Sequence, residues 1–365
     1  MNSKDLSSKN TDLRISSYEP LISPAELCTK YPLSDKLADQ IEKSRKTVNA
    51  ILKGEDSRLL AIVGPCSIND PVSALDYARK LQTLSEQLND EIFIVMRTYF
   101  EKPRTVGGWK GLIVDPDMDG SYDIGKGLEV ARKLLLDITE IGLPVGCEAL
   151  DPVVPQYIDE LMSWTAIGAR TTESQTHRNL SSGLSVPVGF KNSTNGCVVN
   201  AINAIKSCRL PAAFIGIDRN GSDAVIRTKG NDMGHLILRG GDRGPNYYED
   251  EVELAKQKLA EAGVRESIII DCSHANSRKK SALESRVLRS VIDQVCWGEK
   301  AIKGFMLESN LFEGQQCMCQ NKKDLKYGVS VTDACIGFEE TQRILTNACK
   351  LLYRAKYDDT LTRPL

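Results

Sequence analysis

Eight short apolar runs, rich in β-branched residues, constrain this chain more tightly than anything else in it. They are 59–66 (LLAIVGPC), 92–99 (IFIVMRTY), 143–150 (LPVGCEAL), 166–171 (AIGART), 187–192 (PVGFKN), 235–241 (HLILRGG), 267–274 (SIIIDCSH) and 301–308 (AIKGFMLE). Amphipathic stretches lie between them. Val72, Leu75, Ala78, Leu81 and Leu88 recur at helical spacing, as do Leu128, Ala131, Leu134, Leu135 and Ile138, and 251–262 and 285–297 read the same way. Strands alternating with helices make βαβ units and a parallel sheet, and continuous apolarity means that both strand faces are covered. Eight such units are the content of a (β/α)8 TIM barrel. An open doubly wound sheet would carry G-x-G-x-x-G after its first strand, and none is there.

The expected fold is therefore α/β, a (β/α)8 TIM barrel with two additions. Residues 1–58 form an N-terminal extension for regulatory or oligomer contacts, with a helix near 36–52. Residues 59–354 form the catalytic barrel, and 355–365 a C-terminal tail. Residues 212–228 (AAFIGIDRNGSDAVIRT) read as two strands around an Asn-Gly turn, a hairpin inserted between strands five and six. The length of 365 residues suits a barrel of ~250 with such additions.

Charge narrows the function classes. With 47 Lys+Arg against 49 Asp+Glu, the chain lacks the basic excess of a nucleic-acid binder. No apolar run approaches the ~20 residues of a membrane span, and the polar first twenty residues lack the apolar core of a signal peptide. A cytoplasmic protein with no membrane or nucleic-acid partner is expected. The eleven cysteines then read as reduced thiols, and Cys317 and Cys319, without a second ligand pair, as loop thiols rather than a metal site.

Each apolar run carries a polar residue near its C-terminal end: Cys66, Arg97, Glu148, Arg170, Lys191, Arg239, His274 and Glu308. Barrel enzymes build their sites at that end, and charges there are costly unless a ligand compensates them. Arg97, Lys102, Arg104, Arg170, Lys191 and Arg239 would repel one another without an anionic ligand, and arginine forks suit phosphate and carboxylate oxygens. Small phosphorylated anions are implied. Cys66, His274, Glu308 and Asp333 form a second group. Together they offer the mixed donors of a divalent-metal site, although a buried thiol and a core histidine are the plainer alternative.

The segments GPCSI (64–68), EKPRT (101–105), GWKG (108–111), IGARTTESQ (167–175), PVGFKN (187–192), ILRGG (237–241), DCSHANS (271–277) and YGVSVTDACIG (327–337) closely resemble the class I 3-deoxy-D-arabino-heptulosonate 7-phosphate (DAHP) synthases of microbial aromatic biosynthesis. The resemblance runs from about residue 11 to 354. It implies condensation of phosphoenolpyruvate with erythrose 4-phosphate, the first step of the shikimate pathway. It also implies that Arg97, Arg170, Lys191 and Arg239 hold phosphoenolpyruvate, and that Lys102 lies between the substrates as a proton donor. Pro103, Arg104 and Thr105, with Lys102, would bind erythrose 4-phosphate. Cys66, His274, Glu308 and Asp333 match the family's metal ligands, with Mn2+ ahead of Fe2+, Co2+ and Zn2+, and Glu148 is expected to orient the attacking water. His177 is placed near the site, and His235 is read as structural.

The resemblance further implies a feedback effector held by Asp12, Ile15, Pro155, Gln156, Leu184, Ser185, Phe214, Gly216 and Ile226. The small Gly216 in FIGI (214–217) makes tyrosine the favoured effector. A homotetramer, a dimer of dimers, is expected. Asn69, Val106-Gly107 and Asn195 depart from the family's usual residues beside the site. The competing readings are a catalytically weak paralogue acting as a regulatory or assembly subunit, and a synthase using arabinose 5-phosphate. The KPRT motif at 102–105 and the hairpin favour the four-carbon aldose.

Overall fold

The computed structural model describes residues 10–318 and 322–357, and within them the chain alternates strand and helix. The strands are β1 (Leu59–Gly64), β2 (Ile92–Arg97), β3 (Val145–Glu148), β4 (Trp164–Ile167), β5 (Val188–Lys191), β6 (Ala213–Ile217), β7 (Asp223–Arg227), β8 (Gly234–Leu238), β9 (Ile268–Asp271), β10 (Ile302–Asn310) and β11 (Ile336–Gly337). The helices are α1 (Pro24–Lys30), α2 (Asp35–Lys53), α3 (Pro71–Leu88), α4 (Ile124–Ile141), α5 (Pro155–Ile158), α6 (Gln175–Ser181), α7 (Val199–Cys208), α8 (Glu249–Glu261), α9 (Glu284–Cys296) and α10 (Phe338–Tyr357).

Strands β1 to β5 and β8 to β10 pair in parallel in that order, and β10 pairs back with β1, which closes an eight-stranded barrel. The period of two along each strand separates two cores. From β1, Leu59, Ala61 and Val63 pack outward among the helices, while Leu60 and Ile62 point inward with Val95, Trp164, Ala166, Ile237, Ile269 and Met306. Helix α2 belongs to that inner core through Val48, Ile51 and Leu52. It begins where the Ser34 hydroxyl accepts from Leu37 N–H and ends at Gly54 (φ 78°), a left-handed position that suits glycine. Although it lies within the expected extension, it plugs the N-terminal end of the barrel.

The hairpin stands outside the barrel, so β5 pairs directly with β8. Phe214 faces Ile226 across its antiparallel register. The turn is held by Asp218, whose carboxylate accepts from the N–H groups of Asn220 and Ser222, with Gly221 at φ 79°.

Several runs read from sequence are longer than the strands they contain. Only Arg97, Glu148 and Lys191 are the last residues of their strands. Cys66 lies two residues beyond β1, Arg170 and His274 three beyond β4 and β9, Arg239 one beyond β8, and Glu308 inside β10. Apolarity marks where a strand is covered, whereas pairing stops where the chain must turn toward the next helix. Helices α5 and α6, at 4 and 7 residues, are too short to show a period. Of the expected thiol pair, Cys317 is exposed and Cys319 lies outside the described residues, as does the expected tail from 358 onward. Among the described residues, no helix is long and apolar enough to cross a membrane.

Candidate active site

A cavity of about 400 Å3 opens at the C-terminal ends of the strands, lined by Arg97, Lys102, Pro103, Arg104, Glu148, Arg170, Lys191, Arg239, His274, Glu308 and Asp333. Every cation singled out from sequence faces it. Cys66 is fully buried at its edge, and Thr105 is exposed outside its lining.

Arg97 is the most confined of the cations, at 1 % exposure. Its Nη2 donates to Glu308 Oε1 at 3.1 Å, its Nε donates to the Pro65 carbonyl, and its guanidinium stacks 4.0 Å from the Tyr99 ring centre. Arg97 Nη1 and the Tyr99 hydroxyl are buried without a hydrogen-bond partner among the described residues. Buried donors are normally satisfied, so two orphans at a cavity wall point to an acceptor supplied from outside the chain. Lys191, the last residue of β5, pairs with Asp271 Oδ2 at 3.0 Å. Burial lowers the Arg239 pKa, and neighbouring Arg170 pushes the same way against Asp271. An anion in the cavity would relieve both. Gly168 admits the Glu148 carboxylate: a Cβ there would sit 2.3 Å from Oε1.

The second group gathers beside the cations. Donor atoms of Cys66, Glu308 and Asp333 lie within 4.8 Å of one another, and His274 Nε2 is 3.9 Å from Glu308 Oε1. Four residues spread over 267 positions of chain thus meet. His274 takes part through a left-handed backbone (φ 56°), a conformation costly for any residue but glycine. The Lys102 ammonium sits among these donors, 2.6 Å from Cys66 Sγ and 3.1 Å from Asp333 Oδ2. Burial opposes that charge, yet Cys66, Glu308 and Asp333 hold the ammonium well above the ordinary lysine range. Burial and Glu308 push the Cys66 thiol up to about 12, only partly offset by Lys102. Sulfur, imidazole and carboxylate donors that already attract a cation fit a divalent ion, which would also lower the thiol pKa.

Sequence reasoning missed the residues that hold this arrangement in place. Asn192 Oδ1 accepts from the Arg239 N–H (2.8 Å) and from Asn246 Nδ2 (3.2 Å). Asn246 N–H donates to Asn276 Oδ1, and Asn276 Nδ2 donates to the carbonyls of Leu238 and Asp271. These buried amides tie together the loops after β5, β8 and β9; their only signal was Asn192 inside PVGFKN and Asn276 inside DCSHANS, and Asn246 lies in none of the segments singled out. Glu284 was missed as well: its buried carboxylate accepts from the Glu308 N–H at 2.9 Å. Of the other histidines, His177 bridges Ser174 Oγ and the Leu150 carbonyl. His235 lies at the far end of the barrel, accepting from Trp164 Nε1 at 3.0 Å, and burial lowers its pKa to about 4.

The residues expected to hold an effector are only partly gathered. Phe214 and Ile226 share one hairpin face with Gly216 beside them, where a Cβ would be 2.9 Å from Ile226 Cγ1. The Ser182 and Thr228 hydroxyls tie the hairpin base to the segment carrying Leu184 and Ser185, and Ser185 N–H donates to Asp159 Oδ2 near Pro155 and Gln156. Asp12 and Ile15 sit on an exposed turn, with the Tyr18 hydroxyl donating to Asp12.

The profile of the DAHP synthetase I family matches residues 36–346. The chain is 50% identical over 334 residues to the Tyr-sensitive phospho-2-dehydro-3-deoxyheptonate aldolase of Escherichia coli K12, covering 92% of this chain and 94% of that one. It is 51% identical over 345 residues to the Phe-sensitive enzyme of the same organism, covering 94% and 98%. The solved structure of the phospho-2-dehydro-3-deoxyheptonate aldolase of Francisella tularensis SCHU S4 superposes with a TM-score of 0.90 at 47% identity, covering 93% of this chain and 98% of that one.

Proposed function

Because the chain belongs to the DAHP synthetase I family, we propose that its strand-end cavity joins phosphoenolpyruvate to erythrose 4-phosphate, giving DAHP and inorganic phosphate at the entry to aromatic biosynthesis. One observation carries this reading. Cations from five different barrel strands and loops converge on a single cavity beside a cluster of Cys66, His274, Glu308 and Asp333. Two small phosphorylated anions satisfy the first set, and a divalent ion satisfies the second.

The roles follow from position. Arg97, Arg170, Lys191 and Arg239 bind the phosphate and carboxylate of phosphoenolpyruvate, with Arg97 Nη1 free to donate. Pro103, Arg104 and Thr105 present the aldose. Arg104 Nε is anchored to the Trp109 carbonyl at 2.9 Å, which leaves the rest of the fork for phosphate. Fixing two anions a bond length from reaction is chiefly positioning, the task to which rigid buried cations are suited. As C3 of phosphoenolpyruvate attacks the aldehyde carbon, the Lys102 ammonium gives a proton to the developing alkoxide, a far stronger base than an amine. Glu148 orients the water that adds at C2, and the hemiketal phosphate leaves by C–O cleavage. Cys66, His274, Glu308 and Asp333 would hold the divalent ion, Mn2+ ahead of Fe2+, Co2+ and Zn2+, which supplies Lewis-acid polarisation of the aldehyde when bound.

Feedback inhibition by tyrosine belongs to the same reading. The two sensitive relatives are almost equally similar to this chain, at 50% and 51% identity, so support comes from Gly216, which adds no side chain to the hairpin face beside Phe214 and Ile226. Exposed Leu13, Ile15 and Tyr18, and the outward hairpin pair Ile215 and Val225, favour burial in a homotetramer. Measuring DAHP formation before and after chelation, with each aromatic amino acid added in turn, tests these points. Loss on chelation, recovery with Mn2+ and inhibition by tyrosine ahead of phenylalanine are expected. Undiminished turnover after complete metal removal would overturn the metal assignment.

A further inference from the structure

The cation set and the donor cluster share one carboxylate, which belongs to neither. Asp271, the last residue of β9, is fully buried. Its Oδ2 lies 3.0 Å from both Lys191 Nζ and His274 Nδ1. Its Oδ1 accepts from the Ser273 hydroxyl at 2.6 Å and from the Ser273 N–H at 3.1 Å. The same hydroxyl oxygen is 2.7 Å from His274 Nδ1.

Counting protons decides the direction of that last bond. A serine hydroxyl has one proton, and the ionised Asp271, facing an ammonium, has none to give. The Ser273 proton therefore goes to Asp271 Oδ1, and its oxygen can only accept from His274. Nδ1 of His274 must carry a proton, so that in the neutral ring the lone pair belongs to Nε2, on the side of Glu308. A free imidazole prefers the opposite tautomer, so the protein has selected this one. At the other end of the barrel the same tautomer is held by different partners, since His235 Nε2 accepts from Trp164 and its Nδ1 donates to the Met233 carbonyl.

We propose that Asp271 is a positioning residue linking the two halves of the site: through Ser273 it fixes His274 with Nε2 open toward Cys66, Glu308 and Asp333, and through its second oxygen it anchors Lys191. The inference rests on the functional reading above and adds to it. One buried carboxylate sets both the metal-facing nitrogen and the ammonium that meets phosphoenolpyruvate. Carboxylate-oriented histidines of this kind govern metal affinity by roughly 10- to 100-fold in general.

The test uses the full-length protein and two isosteric or near-isosteric variants, Asp271→Asn and Ser273→Ala, each checked for folding by circular dichroism. Mn2+ is titrated against a competing chelator, and phosphoenolpyruvate is titrated into metal-free protein. Asp271→Asn is expected to weaken both, the Mn2+ affinity by about 10- to 100-fold. Ser273→Ala is expected to weaken Mn2+ binding with a smaller change for phosphoenolpyruvate. Protein labelled with 15N only at its three histidines adds a signature that mere packing would not move. At pH 8 without metal, the His274 signal, assigned by its loss in His274→Asn, is expected to report protonated Nδ1 and bare Nε2, and to lose that pattern in Asp271→Asn. Should Asp271→Asn fail to fold, Ser273→Ala and the wild-type spectrum still decide. Wild-type protein that binds both probes, with Ser273→Ala unchanged toward Mn2+ or His274 protonated at Nε2, overturns this inference alone. Wild-type protein that binds neither probe overturns the site reading and this inference with it.

Discussion

The two ends of the barrel are made from the same eight strands and are opposite in character. At the N-terminal end, Val48, Ile51 and Leu52 of α2 fill the mouth against Leu60 and Trp164, and the buried polar pair, Trp164 and His235, satisfies itself. At the C-terminal end, Arg97 pairs with Glu308 and Lys191 with Asp271, all buried as Glu148 is, and Arg97 Nη1 and the Tyr99 hydroxyl have no hydrogen-bond partner among the described residues. One end is closed for stability, whereas the other is left electrostatically incomplete. The missing partners define what the cavity takes: anions for the cations and a divalent ion for the donor cluster.

That contrast is sharpened most by changing one donor. Cys66→Ser keeps the size of a fully buried side chain but removes the soft ligand. Metal affinity and turnover should fall by at least about 100-fold while the far-ultraviolet spectrum stays that of the wild type. Metal content and initial rates measure this, and retained values for both would sink the ligand assignment.

Damage at the other end should do the converse. Ile51→Ala opens a cavity in the plug and is expected to cost about 2–5 kcal/mol of unfolding free energy, read from denaturant titration. Turnover per folded molecule should not change. An equal loss of kcat would mean that the two ends are not separable.

The ends should also titrate in opposite directions. Burial beneath the loop after β2, with Asp151 and Glu148 nearby, raises the Glu101 carboxyl from 4.5 to about 8. The folded state therefore holds a proton that the unfolded state releases, and this stabilisation, complete below pH 4.5, is lost as pH rises toward 8. His235 is lowered from 6.5 to about 4 by burial, so its contribution, complete above pH 6.5, is lost as pH falls toward 4. Stability measured against pH should show Glu101→Gln gaining on the wild type between pH 5 and 8. His235→Gln should gain on it below pH 6.5. Parallel curves for either variant would refute its assignment.

A smaller effect is expected at the hairpin, which belongs to neither end. Gly216→Ser places a side chain against Ile226 and should weaken tyrosine inhibition by roughly tenfold, about 1.4 kcal/mol, without altering uninhibited turnover. Inhibition curves with tyrosine and phenylalanine measure the shift.

The barrel was legible in the sequence because its strands are covered on both faces, so burial appears as continuous apolarity. The cations were legible because a costly residue in an apolar setting calls for a ligand, whereas Cys66, His274, Glu308 and Asp333 were brought together as metal ligands by the family resemblance, Asp333 standing in none of the apolar runs. What could not be read was which polar groups meet after closure. Asp271 looks like any strand-end acid until β5 and the loop after β9 bring Lys191 and His274 to it. Asn192, Asn246 and Asn276 are ordinary loop residues until their amides bond across three loops. Helix α2 shows its period plainly, but a period does not say what the apolar face will cover.

The central claim is that the incomplete end of the barrel unites two phosphorylated anions. It is tested most directly by phosphate release from phosphoenolpyruvate in purified, Mn2+-loaded protein, with and without erythrose 4-phosphate. Release that requires the aldose is the expected result. Release without it, or none from protein shown to be folded and metal-bound, would contradict the account and turn attention to the departures at Asn69, Val106 and Gly107.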